Sequence, residues 1–350
     1  DDSSTKKYIR PLLEKYGRFD SRIKLKFNKK NSHISIASNK ALSLATGDYV
    51  VFLDHDDEFR PHSLLEVAKA LNENPNLKFI YSDEDKINEK GQRYDPYFKP
   101  CWNPELFLGQ NYVSHLCAIR RSLIEVAKGF RKGFEGAQDW DLFLRITERL
   151  KAEEICHIPI VLYHWRASDQ STARAVAKKD YVLKAALSCL SETLQRRRIL
   201  AEINIADRAN SFWRIIYAMP KKMPFVSILI PFRDRVDLLK VCLNSIKKTI
   251  DYTNLEIILL DNESSEPETL KFLKKIKNER NIRTIKISGG FNYSKINNRG
   301  VAASKGELIL LLNNDIEAMH TGWFEEMVSQ AIRPKVGCVG AKLLYPNRII

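Results

Sequence analysis

The sequence predicts an α/β protein: two tandem copies of a domain built on a mainly parallel sheet, the first lacking its N-terminal strands and the second truncated at its C-terminus. Three observations carry that expectation. Short apolar runs alternate with helical patterns through 225–287, a rhythm that builds parallel sheets. The run Tyr49-Val50-Val51-Phe52-Leu53 ends in Asp54-His55-Asp56-Asp57, so a strand would deliver carboxylates to a sheet edge, where α/β proteins place their ligand crevice. Finally, Ser35, Asn39, Gly47, Asp54 and Asp56 each stand 259 residues before Ser294, Asn298, Gly306, Asn313 and Asp315. Asp1-Asp2-x-Ser4 matches Asp261-Asn262-x-Ser264 at 260, one residue of slippage. One recurring register of this kind marks an internal repeat.

Length and composition agree. The chain has 350 residues, 44% hydrophobic and 29% charged, enough for two cores of ordinary globular character. Its net charge of +14 permits attraction to nucleic acid, to anionic lipid or to phosphorylated substrates. Nucleic acid is set aside because the sequence shows no zinc-finger spacing, RNA-recognition signature or dense basic arm. Six cysteines without a CxxC pair read as reduced core thiols in a cytoplasmic setting. No apolar run reaches the roughly 18–20 residues of a membrane span. The first residue is Asp1 rather than Met, and the expectation is a piece of a longer protein.

In chain order, Asp1–Ser4 reads as a strand end, 6–16 as a helix and Ile23–Phe27 as a strand. A helix over 34–46 stops at Gly47 and leads into the strand Tyr49–Leu53. A helix over 61–73 opens with Pro61. Phe79-Ile80-Tyr81 reads as a short strand ending at Ser82-Asp83-Glu84-Asp85, and 86–113 as a long binding loop. Helices follow over 122–128 and 140–149. The strand 156–163 contains Pro159, which predicts an edge or a bulge. The expected first domain is 1–172, with a helical linker over 173–223 whose leucines Leu183, Leu187, Leu190 and Leu194 form one stripe. The second domain, 224–350, opens with a strand stopped by Pro231.

On residue chemistry alone, Asp54-x-Asp56 is either a pair of oxygen ligands for a hard cation facing phosphate or a solvated acidic turn. Asp139, in Gln138-Asp139-Trp140-Asp141, is either a proton acceptor or a helix cap. An apolar strand before Asp-x-Asp also opens the haloacid-dehalogenase phosphatases, but Asp57 stands where that family wants Thr or Val. A non-catalytic nucleotide- or glycan-binding module is the other alternative, best suited to the second copy.

Taken together, several segments resemble the family 2 glycosyltransferases of the GT-A fold, specifically tandem bacterial enzymes of surface-polysaccharide (O-antigen or rhamnan-type) synthesis. They are Asp1–Ser4, Asn39 with Ala45-Thr46-Gly47, Leu53–Asp57, Glu135–Leu142 and Tyr163-His164-Trp165-Arg166. Val226–Pro231, Asp261-Asn262, Phe291–Ser294 and Leu312–Asp315 carry it in the second copy. The resemblance implies an inverting, metal-dependent transfer of sugar from a nucleotide-diphosphate sugar to a growing glycan or lipid-linked glycan, at the cytoplasmic face of a bacterial membrane. It implies Mg²⁺ or Mn²⁺ held by Asp56 and His164, with Asp315 the counterpart in the second copy. Asp1, Asp2, Asp54, Asp261 and Asn313 would contact the nucleotide sugar, and Asp139 would be the base. Gln138 departs from the family's usual Glu, which removes a charge beside Asp139. Asp83, Asp85, Trp102 and Trp140 are candidate contacts to acceptor or sugar.

Overall fold

The computed structural model describes residues 1–166, 180–207 and 211–349. They form two compact units, Asp1–Ile216 and Tyr217–Ile350.

The first unit runs α1 (Ile9–Phe19), α2 (His33–Leu42), β1 (Tyr49–Val51), β2 (Glu58–Phe59), α3 (Ser63–Glu73), β3 (Phe79–Ile87), β4 (Arg93–Tyr97), α4 (Pro104–Gly109), β5 (Cys117–Arg120), α5 (Arg121–Val126), α6 (Gln138–Thr147), β6 (Ile155–Arg166), α7 (Asp180–Arg196), β7 (Ala201–Asp207) and β8 (Phe212–Tyr217). Its main sheet has the order β1-β5-β3-β6-β2, with β4 added to β3. Only β3 and β6 are parallel; the other pairs are antiparallel. The expected mainly parallel sheet is therefore corrected to a mixed one in this unit. β1 was expected to be buried in a parallel sheet, yet it is a half-buried edge strand paired with β5 alone. Residues Ile23–Phe27 form no strand; their backbone meets Asp1, whose amino group donates to Lys26 O at 2.9 Å.

Side-chain alternation along β3 builds two apolar layers. Phe79 and Tyr81 face a core made with Phe107, Leu142 and Leu144, while Ile80 faces Val67, Leu116 and Leu162 on the other side. Each fully buried side chain of this size contributes roughly 1.5–3 kcal/mol. The acidic run that was expected to end β3 lies inside it instead, and Asp83, Glu84 and Asp85 are all buried. They stay in the strand because each meets a cation or donor, described below. Pro159 falls where the β3–β6 register slips between Ser82 and Asp83, so it marks a bulge in an interior strand rather than an edge.

The expected linker is also corrected. Leu183, Ala186, Cys189 and Leu190 of α7 belong to the first unit's core and Leu194 is buried too, while Leu187 of the expected stripe is exposed. Residues 173–179 and 208–210 of that expected linker lie outside the described residues.

The second unit follows the predicted rhythm: β9 (Val226–Phe232), α8 (Val236–Thr249), β10 (Leu255–Asp261), α9 (Pro267–Ile276), β11 (Ile282–Lys286), α10 (Tyr293–Ala303), β12 (Leu308–Leu311) and α11 (Trp323–Ala331). Its sheet, ordered β11-β10-β9-β12, is parallel throughout. β9 does not stop at Pro231 but runs on to Phe232. The repeat has a local structural counterpart, since Ser4 N donates to Asp1 Oδ1 at 3.3 Å and Ser264 N to Asp261 Oδ1 at 2.9 Å.

A buried ion pair ties the loop after β4 to β3. Lys99 Nζ donates to Glu84 Oε2 at 3.0 Å and to Val113 O at 2.6 Å, and its side chain has no solvent exposure. Removing one partner strands the other charge in the interior. Lys99→Ala should therefore destabilise the first unit by about 3–5 kcal/mol in urea titrations, and the double change Lys99→Met, Glu84→Gln should recover much of that loss. Equal instability of the single and double variants would contradict this account.

Candidate active site

The first unit contains a cleft of about 1520 Å³, bordered by the ends of β1 and β3, the loop 110–115, the turn 133–139 and helix α7. Its acidic lip is shaped by Asp57. Tyr163 Oη donates to Asp57 Oδ2 at 2.5 Å and Arg166 N donates to Asp57 Oδ1 at 2.8 Å. Arg166 Nε further donates to Asp56 O at 2.7 Å, and Asp54 N to Tyr163 Oη at 3.3 Å. Burial pushes the Asp57 carboxyl up, against these hydrogen bonds. The third aspartate thus anchors the turn to β6. Asp54 and Asp56 are left exposed, with Asp54 lining the cleft and the His55 Nδ1 3.8 Å from Asp56.

On another wall, Asp139 sits in the first turn of α6. Gly136 makes the turn into that helix at φ +90°, and a Cβ there would stand 2.7 Å from the Val182 side chain. Asn111 Nδ2 donates to Asp139 Oδ2 at 2.8 Å. Burial raises the Asp139 carboxyl, opposed by the charge of His115, the Asn111 hydrogen bond and the helix-start amides. The result is a shielded proton acceptor facing the cleft, which Asp139 lines. Asp141, two residues on, is wholly buried between Arg131 and Arg145, with Arg145 Nη2 at 2.7 Å.

Asn111, Ser114, His115 and Glu84 line the cleft floor, with Lys99 buried beneath them. Lys99 Nζ also donates to His115 O, and His115 N donates to Glu84 Oε2 at 3.1 Å. The His115 ring stacks on Tyr163 at 4.5 Å. Burial works against the charge on Glu84, but Lys99 and His115 outweigh it and bring its carboxyl down to about 2. Burial also lowers Lys99, whereas His115 is raised by Glu84, Asp54 and Asp139 against the same penalty. None of Asn111, His115 and Lys99 stood out in the sequence. They lie in a stretch without periodic pattern, and only the third dimension joins them to Asp139.

The remaining expected site residues divide. His164 Nδ1 is hydrogen-bonded to Asp85, whose other oxygen accepts from Arg93 Nε at 2.6 Å. Asp85 lines the cleft with both oxygens engaged. Asp83 is turned away from it, held by Lys99 N at 2.8 Å and His157 Nε2 at 2.7 Å. Trp102 packs against Phe79 and Phe107 rather than lining the cleft. Trp140 contributes a wall, but its indole is buried and donates to Phe107 O at 2.9 Å. Asp1 makes the strand-end turn with Ser4; Asp2 accepts from Asn28 Nδ2 at 2.5 Å and Ser32 N at 2.8 Å, and Ser32 lies on the cleft border. In the second unit Asp261 is buried in its turn, while Asn313 and Asp315 are exposed beyond β12.

For a metal, the donor chemistry of Asp54 and Asp56 fits a hard cation that keeps waters and takes phosphate oxygens, which needs only one or two carboxylates. Among the described residues no group of three or more His, Cys, Asp or Glu side chains is gathered for a metal, so His164 does not join Asp54 and Asp56 in one set. Its Nδ1 is taken by Asp85, which leaves Nε2 outside that bond.

An open carboxylate pair after a strand and a shielded carboxylate across the cleft define a site suited to a phosphorylated substrate and a proton transfer. The sequence profile of glycosyl transferase family 2 matches residues 1–127 and again 227–348, and the chain belongs to that family. It is 38% identical over 347 residues to the O-antigen biosynthesis protein RfbC of Myxococcus xanthus, covering 99% of this chain and 27% of that protein. It is 41% identical over 348 residues to the uncharacterized protein y4gI of Sinorhizobium fredii, covering 99% of this chain and 38% of that one. The chain thus spans well under half the length of these relatives. Among solved structures, S. aureus TarS 1–349 aligns with a TM-score of 0.40 and 14% identity, over 64% of this chain and 87% of that one. Among the described residues, no helix is long and apolar enough to cross a membrane.

The depressed Glu84 carboxyl has a pH consequence. It favours the folded state above the unfolded value of 4.5, and that contribution is lost as pH falls from there toward about 2. The stability gap between the protein and Glu84→Gln should therefore narrow over that range in urea titrations; a gap that stays constant would contradict the assignment.

Proposed function

We propose that the first unit transfers a sugar from a nucleotide-diphosphate donor to a growing cell-surface glycan with inversion of configuration, Asp139 acting as the base. The observation that carries this reading is the pairing of two kinds of carboxylate: exposed at Asp54 on the cleft with Asp56 two residues on, and half-buried and hydrogen-bonded at Asp139 on the same cleft. The first kind suits a diphosphate leaving group. A divalent cation, Mg²⁺ or Mn²⁺, would there neutralise the charge that builds on the diphosphate as the glycosidic bond breaks. Asp139 takes the proton of the acceptor hydroxyl as that oxygen bonds to the anomeric carbon, and Asn111 fixes which carboxylate oxygen points inward. One base facing the acceptor, with no second carboxylate needed as nucleophile, is the arrangement an inverting transfer requires.

Surface-polysaccharide synthesis as the setting follows the named relative from Myxococcus xanthus. A cytoplasmic location with peripheral attachment to an anionic membrane face accords with the net charge of +14. For the second unit a binding role is favoured, because Asn313 replaces one carboxylate of the pair and only Asp315 remains.

Transfer from a panel of UDP-, dTDP- and GDP-sugars, with and without Mn²⁺, tests the proposal. Asp139→Asn should lower kcat by about 10²–10⁴-fold with the fold retained, and Asp56→Ala should abolish metal-stimulated turnover. Because burial raises Asp139, the acid limb of kcat/KM should lie above the ordinary carboxylate value of 3.8. Full turnover by either variant would refute the corresponding role.

A further inference from the structure

The second unit presents a basic helical face. α8 and α9 lie side by side on one face of the parallel sheet, where Leu239, Leu243 and Ile246 share a core with Phe272, Leu273 and Ile276. Lys240 Nζ stands 5.4 Å above the Phe272 ring, and Lys247 Nζ donates to Glu279 Oε2 at 2.5 Å, so two contacts bridge the pair. Around them Lys248, Lys271, Lys274, Lys275, Lys277 and Arg280 are exposed, and among the described residues none of the six forms an ion pair.

The helix macrodipole accounts for cations in a last turn, here Lys247, Lys248, Lys274 and Lys275. It does not account for Lys240 and Lys271 further back, nor for Lys277 and Arg280 beyond α9. Acidic side chains stand only in the first turns of the two helices, as Asp237 and Glu268, and Asp237 is held by Arg235 at 2.8 Å. Past the C-termini Glu279 is taken by Lys247, and Asp251 offsets one cation. Val241 shares a helical face with Lys248, and Leu270 with Lys274 and Lys277; they are 47% and 37% exposed.

This pattern narrows the partner. The cations are spread over two helices rather than gathered round a cavity, so they suit an extended charged plane better than a single phosphate. Neither helix exposes an aromatic ring that could stack on a nucleic-acid base. Aliphatic side chains set among lysines are the composition of a surface that lies on anionic lipid.

We propose that the outer face of α8 and α9 is the surface by which the protein lies on an anionic membrane. The inference rests on the peripheral attachment proposed above and deepens it by naming the face that makes the contact. Both helices run back against the strands, so their basic C-terminal ends lie at the sheet edge away from Asp261. A bilayer there leaves the strand C-terminal ends, where α/β proteins bind ligands, open. With two aliphatic side chains among many cations, the attachment is mainly electrostatic and weakens with salt.

The test is sedimentation of the 350-residue chain with vesicles of phosphatidylcholine alone or mixed in equal parts with phosphatidylglycerol. The unmodified chain should sediment with the anionic vesicles only and be released by high salt. Each lysine near such a surface is worth roughly fivefold in partition. The triple change Lys271→Gln, Lys274→Gln, Lys275→Gln should therefore weaken binding roughly 100-fold. The triple change Lys295→Gln, Arg299→Gln, Lys305→Gln removes the same charge from the other side of the sheet, where α10 packs, and should cost less than about tenfold. Thermal melting checks folding. Acetylation of the unmodified chain reads the surface without any variant: anionic vesicles should protect Lys271, Lys274 and Lys275 and leave Lys295 reactive. Equal losses in the two triple variants, or equal protection of the two faces, would refute the named face and leave peripheral attachment standing. Failure of the unmodified chain to bind anionic vesicles would refute both. Tighter binding to duplex DNA than to vesicles at equal phosphate, lost in the α9 variant, would overturn the membrane in favour of nucleic acid.

Discussion

The first unit's cleft depends on the Glu84–Lys99 ion pair. A fully buried ammonium is tolerable only when its charge and all its donors are met, and here Glu84 and two main-chain carbonyls of 113–115 meet them. The same contacts that make Lys99 bearable clamp the segment carrying Asn111 and His115 against β3. Asn111 then reaches Asp139, and His115 is stacked on Tyr163, whose hydroxyl holds Asp57. A chain of hydrogen bonds and one ring stack thus runs from the acidic lip to the half-buried Asp139 through a single pinned loop.

The two units use one sequence pattern to different degrees. In the second, β12 lies beside β9 in a wholly parallel sheet, and the turn at Asp261 is buried. In the first, β1 pairs antiparallel with β5, and the acidic turn is secured by β6 through Tyr163 and Arg166. The proposed chemistry is assigned to the first unit because its cleft is lined by both Asp54 and Asp139.

Much of this was legible in the sequence. The 259-residue echo revealed two domains, and the apolar run before Asp54 located a strand end at a cleft. Local patterns failed where tertiary partners decided the outcome. Asp83, Glu84 and Asp85 read as a strand terminus because three acids in a row seldom continue a buried strand; each continues it by finding His157, Lys99 or His164 and Arg93 from distant positions. The α7 stripe was visible, but not that the first core would claim it rather than a linker. Trp102 looked like a sugar platform and proved to be packing. His164 sat in a suggestive motif, yet its Nδ1 partner is Asp85, directly opposite it on the neighbouring strand β3. Asn111 and His115 gave no signal, since only the fold brings Asn111 to Asp139 and His115 to Glu84 and Tyr163.

The central claim is that one half-buried carboxylate, Asp139, works against one face of the donor sugar while the diphosphate leaves from the other. The anomeric configuration of the new linkage, read by NMR on the purified product and compared with that of the donor, tests it most directly. The account predicts inversion. A product that retains the donor's configuration would require a second, nucleophilic group in the cleft and would contradict it.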